Sequence, residues 1–220
     1  MLLNEAKWIN NIIASHLNSF NGTAINLGSS SLDFIKYNQP YIENLVLKPI
    51  SKNFKLINVD VKVDSNIQLV ADFLTDSGQK TIKELHAKVF LVSNLLEHIP
   101  VALDGINQLK TLVESNSYII LTGPKSFPYH PDPIDNMFRP KLTEIYTLFE
   151  KDFEIIELDI VKNGTVFSSS LFGRSVKKTG KVLQSKGGLL KLIFKTTFLY
   201  KTIRNMFYPA SAFCMLARKK

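Results

Sequence analysis

Thr23-Ala24-Ile25-Asn26-Leu27-Gly28-Ser29-Ser30-Ser31 is the stretch whose reading decides how the rest of the chain is understood. An apolar run, Ala24 to Leu27, ends in a glycine and three serines. A short apolar run that meets small residues reads as a strand entering a tight loop, with a helix expected behind it. Small side chains let backbone N–H groups approach a ligand closely.

Working outward, residues 4–20 carry Trp8, Ile9, Ile12, Ile13, Leu17 and Phe20 at helical spacing, and Asn21-Gly22 stops the pattern. Residues 32–52 are ambiguous, with a helix over Pro40–Ile50 the better fit, because proline is tolerated in a first turn. Strands are predicted at Phe54–Val59, Ile67–Ala71, Ala87–Val92, Tyr118–Thr122, Phe153–Val161 and Ser211–Ala217. Helices are predicted at Thr81–His86, Val101–Glu114 and Lys141–Lys151. Strands alternating with helices imply an α/β fold, a mostly parallel sheet with helices on both faces. Ligands of such sheets bind outside the carboxyl ends of the strands. Asp60 and Asp72 stand at two successive strand ends, beside the serine loop. Either acid alone reads as turn chemistry; together with the loop they form a constellation.

The 220 residues, 45% hydrophobic, suffice for one domain. A single cysteine, Cys214, excludes an internal disulfide and fits a reducing compartment. Asn4, Glu5, Lys7, Asn10 and Asn11 interrupt any apolar leader, so a cytoplasmic chain is expected. Charge is unevenly placed: residues 1–161 sum to −5, whereas residues 162–220 hold 13 Lys/Arg and no acid. A basic tail on an acidic body implies an anionic partner.

The serine loop, Asp60, Asp72 and the segment Ser93-Asn94-Leu95-Leu96-Glu97-His98-Ile99-Pro100 resemble the class I S-adenosylmethionine-dependent methyltransferases over roughly residues 22–161. The resemblance implies a Rossmann-like, mostly parallel seven-stranded sheet with an antiparallel last strand, and S-adenosylmethionine as cofactor. It implies that Asn26, Gly28, Ser29 and Ser30 wrap the methionine part and that Asp60 accepts hydrogen bonds from the ribose hydroxyls. Asp72 and Phe73 would lie by the adenine, with Asn94 after strand four completing the cofactor set. A nicotinamide dinucleotide fold also puts an acid after strand two, but its glycine fingerprint is absent. The family's acid-x-Gly-x-Gly-x-Gly reads here as Asn26-x-Gly28-x-Ser30-x-Leu32. That departure motivates a second reading, a non-catalytic relative that docks on a membrane or protein complex.

Residues 126–140, with four prolines, resemble the post-strand-five loop of methyltransferases associated with polysaccharide biosynthesis. The resemblance implies a sugar, glycan or lipid-linked glycan as acceptor, with Tyr129, Asp135 and Arg139 lining its pocket. His130 is the candidate general base, oriented by Asp132 or Asp135, and His98 is the alternative. An Asp135–Arg139 pair four residues apart is also expected from spacing alone. Some methyltransferases with Glu-x-x-Glu-His bind a divalent ion there; Asn94 replaces the first Glu, so no metal is expected.

In the resembled family, strands six and seven form a direct hairpin. Here residues 162–210 intervene as a basic insertion. Leu192, Ile193, Leu199, Tyr200, Ile203, Met206 and Phe207 share one face of a helical wheel over 188–207, with Lys191, Lys195 and Lys201 opposite. Packing on the domain explains such a face; residues 186–208 also suit an anionic membrane surface, peripheral to its inner face. A nucleic-acid partner is disfavoured, because no aromatic base-stacking set accompanies the charge, and RNA methylation stands as a third reading.

Overall fold

The structure, a computed structural model, describes residues 1–130, 134–166 and 207–220. Within them, strands β1 (Gly22–Leu27), β2 (Phe54–Asp60), β3 (Leu69–Val70), β4 (Val89–Ser93), β5 (Tyr118–Ser126), β6 (Phe153–Thr165) and β7 (Pro209–Lys219) form one sheet. Its order is β3-β2-β1-β4-β5-β7-β6. The pairs β1–β2, β2–β3, β1–β4 and β4–β5 are parallel. Strand β7 runs antiparallel to both β5 and β6. The winding direction reverses between β1 and β4, which opens a crevice at their carboxyl ends.

The central strands read as continuous apolar runs because both sheet faces are covered. Alternate residues sort to two cores. Ile25, Leu27, Phe90, Val92, Ile119, Leu121, Phe213 and Met215 pack on one side. Helices α3 (Asp76–Lys83), α4 (Ala102–Leu112) and α5 (Leu142–Phe149) supply Ile82, Ile106, Leu109, Ile145 and Phe149 there. Ala24, Val89, Leu91, Ile120 and Leu216 face the other way. Helix α1 (Leu3–Ile12), the π-type turn Glu43–Leu47 and α2 (Lys48–Ser51) cover that side.

Several boundaries move from their predicted places. Helix α1 continues through a π-type turn, Ile13–Leu17, and a further π-type turn spans Phe34–Asn38. Helix α3 begins five residues before the predicted Thr81, because Thr75 Oγ1 accepts the Gly78 N–H and caps it. The predicted strand Ile67–Ala71 shortens to Leu69–Val70 at the sheet edge. Strand β5 runs past the predicted stop at Gly123-Pro124. By that point β4 has ended, and a register shift between Pro124 and Ser126 accommodates the proline against β7. Strands β6 and β7 extend to pair Thr165 with Pro209, and Val166 N–H donates to Tyr208 O at 3.0 Å. Residues 162–165 and 209–210 therefore belong to this ladder; the predicted helix over 188–207 falls almost wholly outside the described residues.

Helix α1 is fastened by an ionisable residue that is fully buried. Glu5 Oε1 accepts from Asn94 Nδ2 (2.7 Å) and Thr122 Oγ1 (2.6 Å), and Oε2 accepts from Leu2 N–H (2.7 Å). This one carboxylate joins the start of α1 to the ends of β4 and β5. Glu5→Ala strands the buried Thr122 hydroxyl and the half-buried Asn94 amide, and should lower unfolding free energy by about 2–4 kcal/mol. Glu5→Gln keeps one carbonyl oxygen for those donors and should fall between alanine and wild type in a urea titration.

Candidate functional site

The carboxyl ends of β1 and β2 carry one half of the site. Gly28 sits at φ +74, a conformation that glycine adopts without strain. Its N–H and that of Ser29 both donate to Val59 O, at 2.9 and 3.3 Å. A Cβ added to Gly28 would stand 2.7 Å from Leu95 Cδ1, so Leu95 fills the space beside the loop. Asn26 Nδ2 donates to Ser29 Oγ (3.1 Å) and to Asn58 Oδ1 (2.9 Å). Asn58 Nδ2 in turn donates to Asn66 O, and Asn66 Nδ2 donates to Ser30 O. Three asparagines thus tie the serine loop to the loop after β2. Asp64 Oδ1 adds to this tie by accepting Leu32 N–H, and backbone and hydroxyl donors hold its carboxyl below the usual range.

Asp60 ends β2 and accepts Lys62 N–H through Oδ1 at 2.8 Å; Asp72 accepts Leu74 N–H through Oδ1 at 2.9 Å. Each uses one oxygen for its own turn, and Oδ2 of each takes no hydrogen bond among the described residues. Phe73, expected beside a purine, is 6% exposed and packs in the core under α3 and α4. Protein already covers its ring. The amide of Asn94 is likewise turned to Glu5, and its backbone is left-handed at φ 52.

The other half forms where the loop after β5 meets the turn after β4. Leu96–His98 is a short 3₁₀ turn. Asn136 clamps the two together: its Nδ2 donates to Leu96 O (2.8 Å) and Ile99 O (2.6 Å), and its N–H donates to Glu97 O (2.9 Å). This residue was not singled out from sequence; an asparagine in a proline-rich loop gives no signal of partners about forty residues away.

The clamp brings His98 and His130 together, with ring centroids 5.5 Å apart at 90°. His98 Nδ1 lies 2.6 Å from Ile134 O. His130 Nδ1 lies 3.0 Å from Asp135 Oδ2 and 3.2 Å from Pro128 O. All these neighbours are acceptors, so both Nδ1 atoms carry hydrogen and both Nε2 atoms keep a lone pair in the neutral rings. Asp135 has a fully buried side chain and also accepts Met137 N–H and Arg139 Nη2, the latter at 2.8 Å. The pair expected from spacing therefore forms, and the same carboxylate holds His130. Tyr129 is 59% exposed at the rim, and Asp132 lies outside the described residues.

Burial pulls His130 below its ordinary value, against the opposite pull of the Pro128 carbonyl and Asp135. Burial works to raise Asp135, but the N–H groups of His130 and Met137, with Arg139, outweigh it and hold the carboxyl low. Glu97, whose side chain is 2% exposed, behaves oppositely. Burial, reinforced by the charge of Glu5, pushes its carboxyl up to about 7 against the pull of its own backbone N–H. Glu97, His98 and His130 place one ligand atom each within 4.8 Å of one another. His130 lies 32 positions beyond His98, so spacing alone does not join it to the segment 94–98. Beside this cluster an open groove of about 840 Å³ is lined by Val101, Leu103, Met137, Phe138, Arg139 and Leu148, among others.

No protein-family model matches the sequence, and no curated protein does. Solved structures do match in fold. Coclaurine N-methyltransferase bound to N-methylheliamine and SAH superposes with a TM-score of 0.58 at 14% identity, over 98% of this chain and 70% of that one. A SAM-dependent methyltransferase from Anabaena variabilis gives 0.55 at 14% identity, over 99% and 86%. A putative sarcosine dimethylglycine methyltransferase from Galdieria sulphuraria gives 0.53 at 11% identity, over 95% and 83%. The chain has the Rossmann-like fold of S-adenosylmethionine-dependent methyltransferases. Among the described residues, no helix is long and apolar enough to cross a membrane.

Two outcomes follow from the site's packing and charge. Gly28→Ala meets both the left-handed backbone and Leu95, and should cost about 1–3 kcal/mol in chemical denaturation. For Glu97, the folded carboxyl keeps a proton that the unfolded chain releases above its ordinary 4.5. Its contribution therefore declines as pH rises from about 4.5 to 7 and levels off above that. The difference between wild type and Glu97→Gln, measured in metal-free buffer at pH 5 and pH 7.5, should shift by about 2 kcal/mol in favour of the glutamine at the higher pH. Parallel curves would show that Glu97 does not titrate in this window.

Proposed function

We propose that the chain transfers a methyl group from S-adenosylmethionine to a hydroxyl oxygen of a sugar-bearing acceptor. The observation that carries this reading is the imidazole pair at the carboxyl ends of β4 and β5. Both rings hold Nε2 lone pairs there, beside the crevice where this fold binds ligands. The residues present fit the cofactor in part. Asp60 Oδ2 is available for a ribose hydroxyl and Asp72 Oδ2 for the adenine side, while Ser30 is exposed on the loop. The N–H groups of Gly28 and Ser29, by contrast, are committed to Val59.

Bound S-adenosylmethionine would supply an electrophilic methyl on a sulfonium. His130 Nε2 would take the proton of the acceptor hydroxyl. Asp135 fixes the tautomer and offsets the charge that the ring gains. His98 is the second proton acceptor within reach. The rest is positioning of the two substrates. The apolar groove beside Arg139 suits an acceptor with a hydrocarbon portion, which favours a lipid-linked glycan over a free sugar. The acid-free, lysine-rich stretch from residue 162 onward supports docking on an anionic membrane surface. Liposome flotation should weaken on deletion of residues 186–208; unchanged flotation would remove the membrane from this account.

A second reading is favoured by the inward-turned first loop: the fold persists without cofactor. Calorimetric titration decides between the two. Methyl transfer requires S-adenosylmethionine binding, weakened at least about tenfold by Asp60→Ala, the loss of a charge-assisted hydrogen bond. Absence of binding at millimolar cofactor overturns it. In an assay with isoprenoid-linked saccharide, His130→Ala should lower kcat by about 10²-fold or more.

A further inference from the structure

Two imidazoles and a carboxylate converge where the β4 and β5 loops meet, and their second contacts are those of ligands. His98 Nδ1–H is held by the Ile134 carbonyl and His130 Nδ1–H by the Asp135 carboxylate. A carbonyl or carboxylate behind each imidazole is the arrangement that orients metal-bound histidines and fixes the ligating nitrogen. Asp135 is itself held by Arg139 and two backbone N–H groups, so the histidine it supports is fixed in turn.

Glu97 supplies an independent observation. Its side chain is 2% exposed, and Oε2 has no hydrogen-bond partner among the described residues. A buried carboxylate with one oxygen lacking a donor is costly, and a cation bound to the group offsets its charge. The other oxygen, Oε1, stands 4.0 Å from His98 Nε2. Neighbouring ligands of a tetrahedral ion with bonds of about 2.1 Å stand about 3.4 Å apart, so this pair needs to close by only about 0.6 Å. One ligand atom of each of the three residues lies within 4.8 Å of the others, so binding an ion draws the three side chains together by about 1 Å.

We propose that Glu97, His98 Nε2 and His130 Nε2 hold one divalent transition-metal ion of the zinc class. Two imidazole nitrogens and one carboxylate suit zinc or cobalt better than magnesium or calcium, which prefer oxygen throughout. Three protein ligands leave coordination positions open. Asn94, three residues before Glu97, is turned to Glu5 and is not a ligand. The inference deepens the methyl-transfer reading and rests on it only for what the ion does. With an ion in place the two imidazoles serve as ligands rather than bases, and the ion's charge lowers the pKa of an acceptor hydroxyl bound to it, whose proton passes to solvent water.

The test uses the full chain, freed of any histidine tag and stripped with EDTA. Zinc chloride is titrated calorimetrically, and cobalt(II) is followed by its visible absorption. One ion per chain should bind at this site. His98→Ala, His130→Ala and the nearly isosteric Glu97→Gln should each weaken it at least tenfold. Asp135→Asn, which reaches the ion only through His130, should cost ten- to a hundredfold. Far-UV circular dichroism establishes that each variant is folded, and Glu97→Gln decides if the alanine variants are not. Equal binding by wild type and the His98→Ala/His130→Ala double variant overturns the proposal, because the ion then sits elsewhere, for instance at the exposed His86–Glu114 pair. S-adenosylhomocysteine binding is measured on the same stripped chain. Cofactor binding without metal uptake overturns this inference and leaves methyl transfer standing. Metal uptake without cofactor binding supports the ion site and overturns methyl transfer.

Discussion

A buried carboxylate must meet donors on both oxygens, and in this fold Glu5 meets them by crossing from the first helix to two strand ends. Its three partners come from Leu2, Asn94 and Thr122. The consequence reaches beyond packing. Asn94 is held in a left-handed conformation, which sets the direction in which the chain leaves β4 and so places Glu97 and His98. The charge of Glu5 is also felt at a distance: it adds to the rise in Glu97, Tyr41 and Cys214. For Tyr41 and Cys214 burial is the larger cause, and it leaves the one cysteine of the chain an inert core thiol rather than a nucleophile.

The first loop follows a different logic. An acid at position 26 would place an acceptor against Asn58 Oδ1, although the Ser29 hydroxyl could turn to donate to it. The amide present there donates to both. The relay through Asn58 and Asn66 back to Ser30 then closes the loop on itself. The exchange of acid for amide is thus coupled to its neighbours: Asn26, Asn58 and Asn66 act as a set, and Gly28 and Ser29 turn their N–H groups inward alongside them. Rigidity of the loop and its reach toward a ligand are in competition here, since each backbone donor given to Val59 is one fewer for a bound group.

Sequence reading found the elements whose signal is local. The central strands are legible because both faces are covered, which leaves unbroken apolar runs such as Val89–Val92. Asp60 and Asp72 are legible as strand ends because turn chemistry is local too. What escaped depends on distant partners. The extension of β5 past Pro124 exists because β7 pairs with it. Phe73 reads from the resemblance as an apolar face for a purine; in the structure its ring is buried in the core beside the turn capped by Thr75. Glu5 and Asn136 gave no sign at all, since Glu5 bonds to residues 89 and 117 positions away and Asn136 to residues 37 and 40 positions away. The meeting of His98 with His130 was only half legible: each histidine stood out as a titratable residue after a strand, but their proximity is made by the Asn136 clamp.

The two halves of the site are therefore constrained differently. The β1–β2 half is fixed by hydrogen bonds among its own loops, so its shape is set by the fold before any ligand arrives. The β4–β5 half has Asp135, Arg139 and Asn136 fully engaged, yet it ends in two imidazole lone pairs and one carboxylate oxygen without partners. Unsatisfied buried polar atoms are rare in folded proteins, and a carbonyl or carboxylate behind an imidazole is the support that metal-bound histidines receive. Structure alone would be served by replacing Glu97 with an apolar side chain of similar volume, which would remove a buried carboxyl and its cost. Glu97 is the one ionisable group among the buried polar atoms without a partner in the described residues, and it stands beside two oriented histidines; this is why the β4–β5 half, rather than the serine loop, is the place for chemistry.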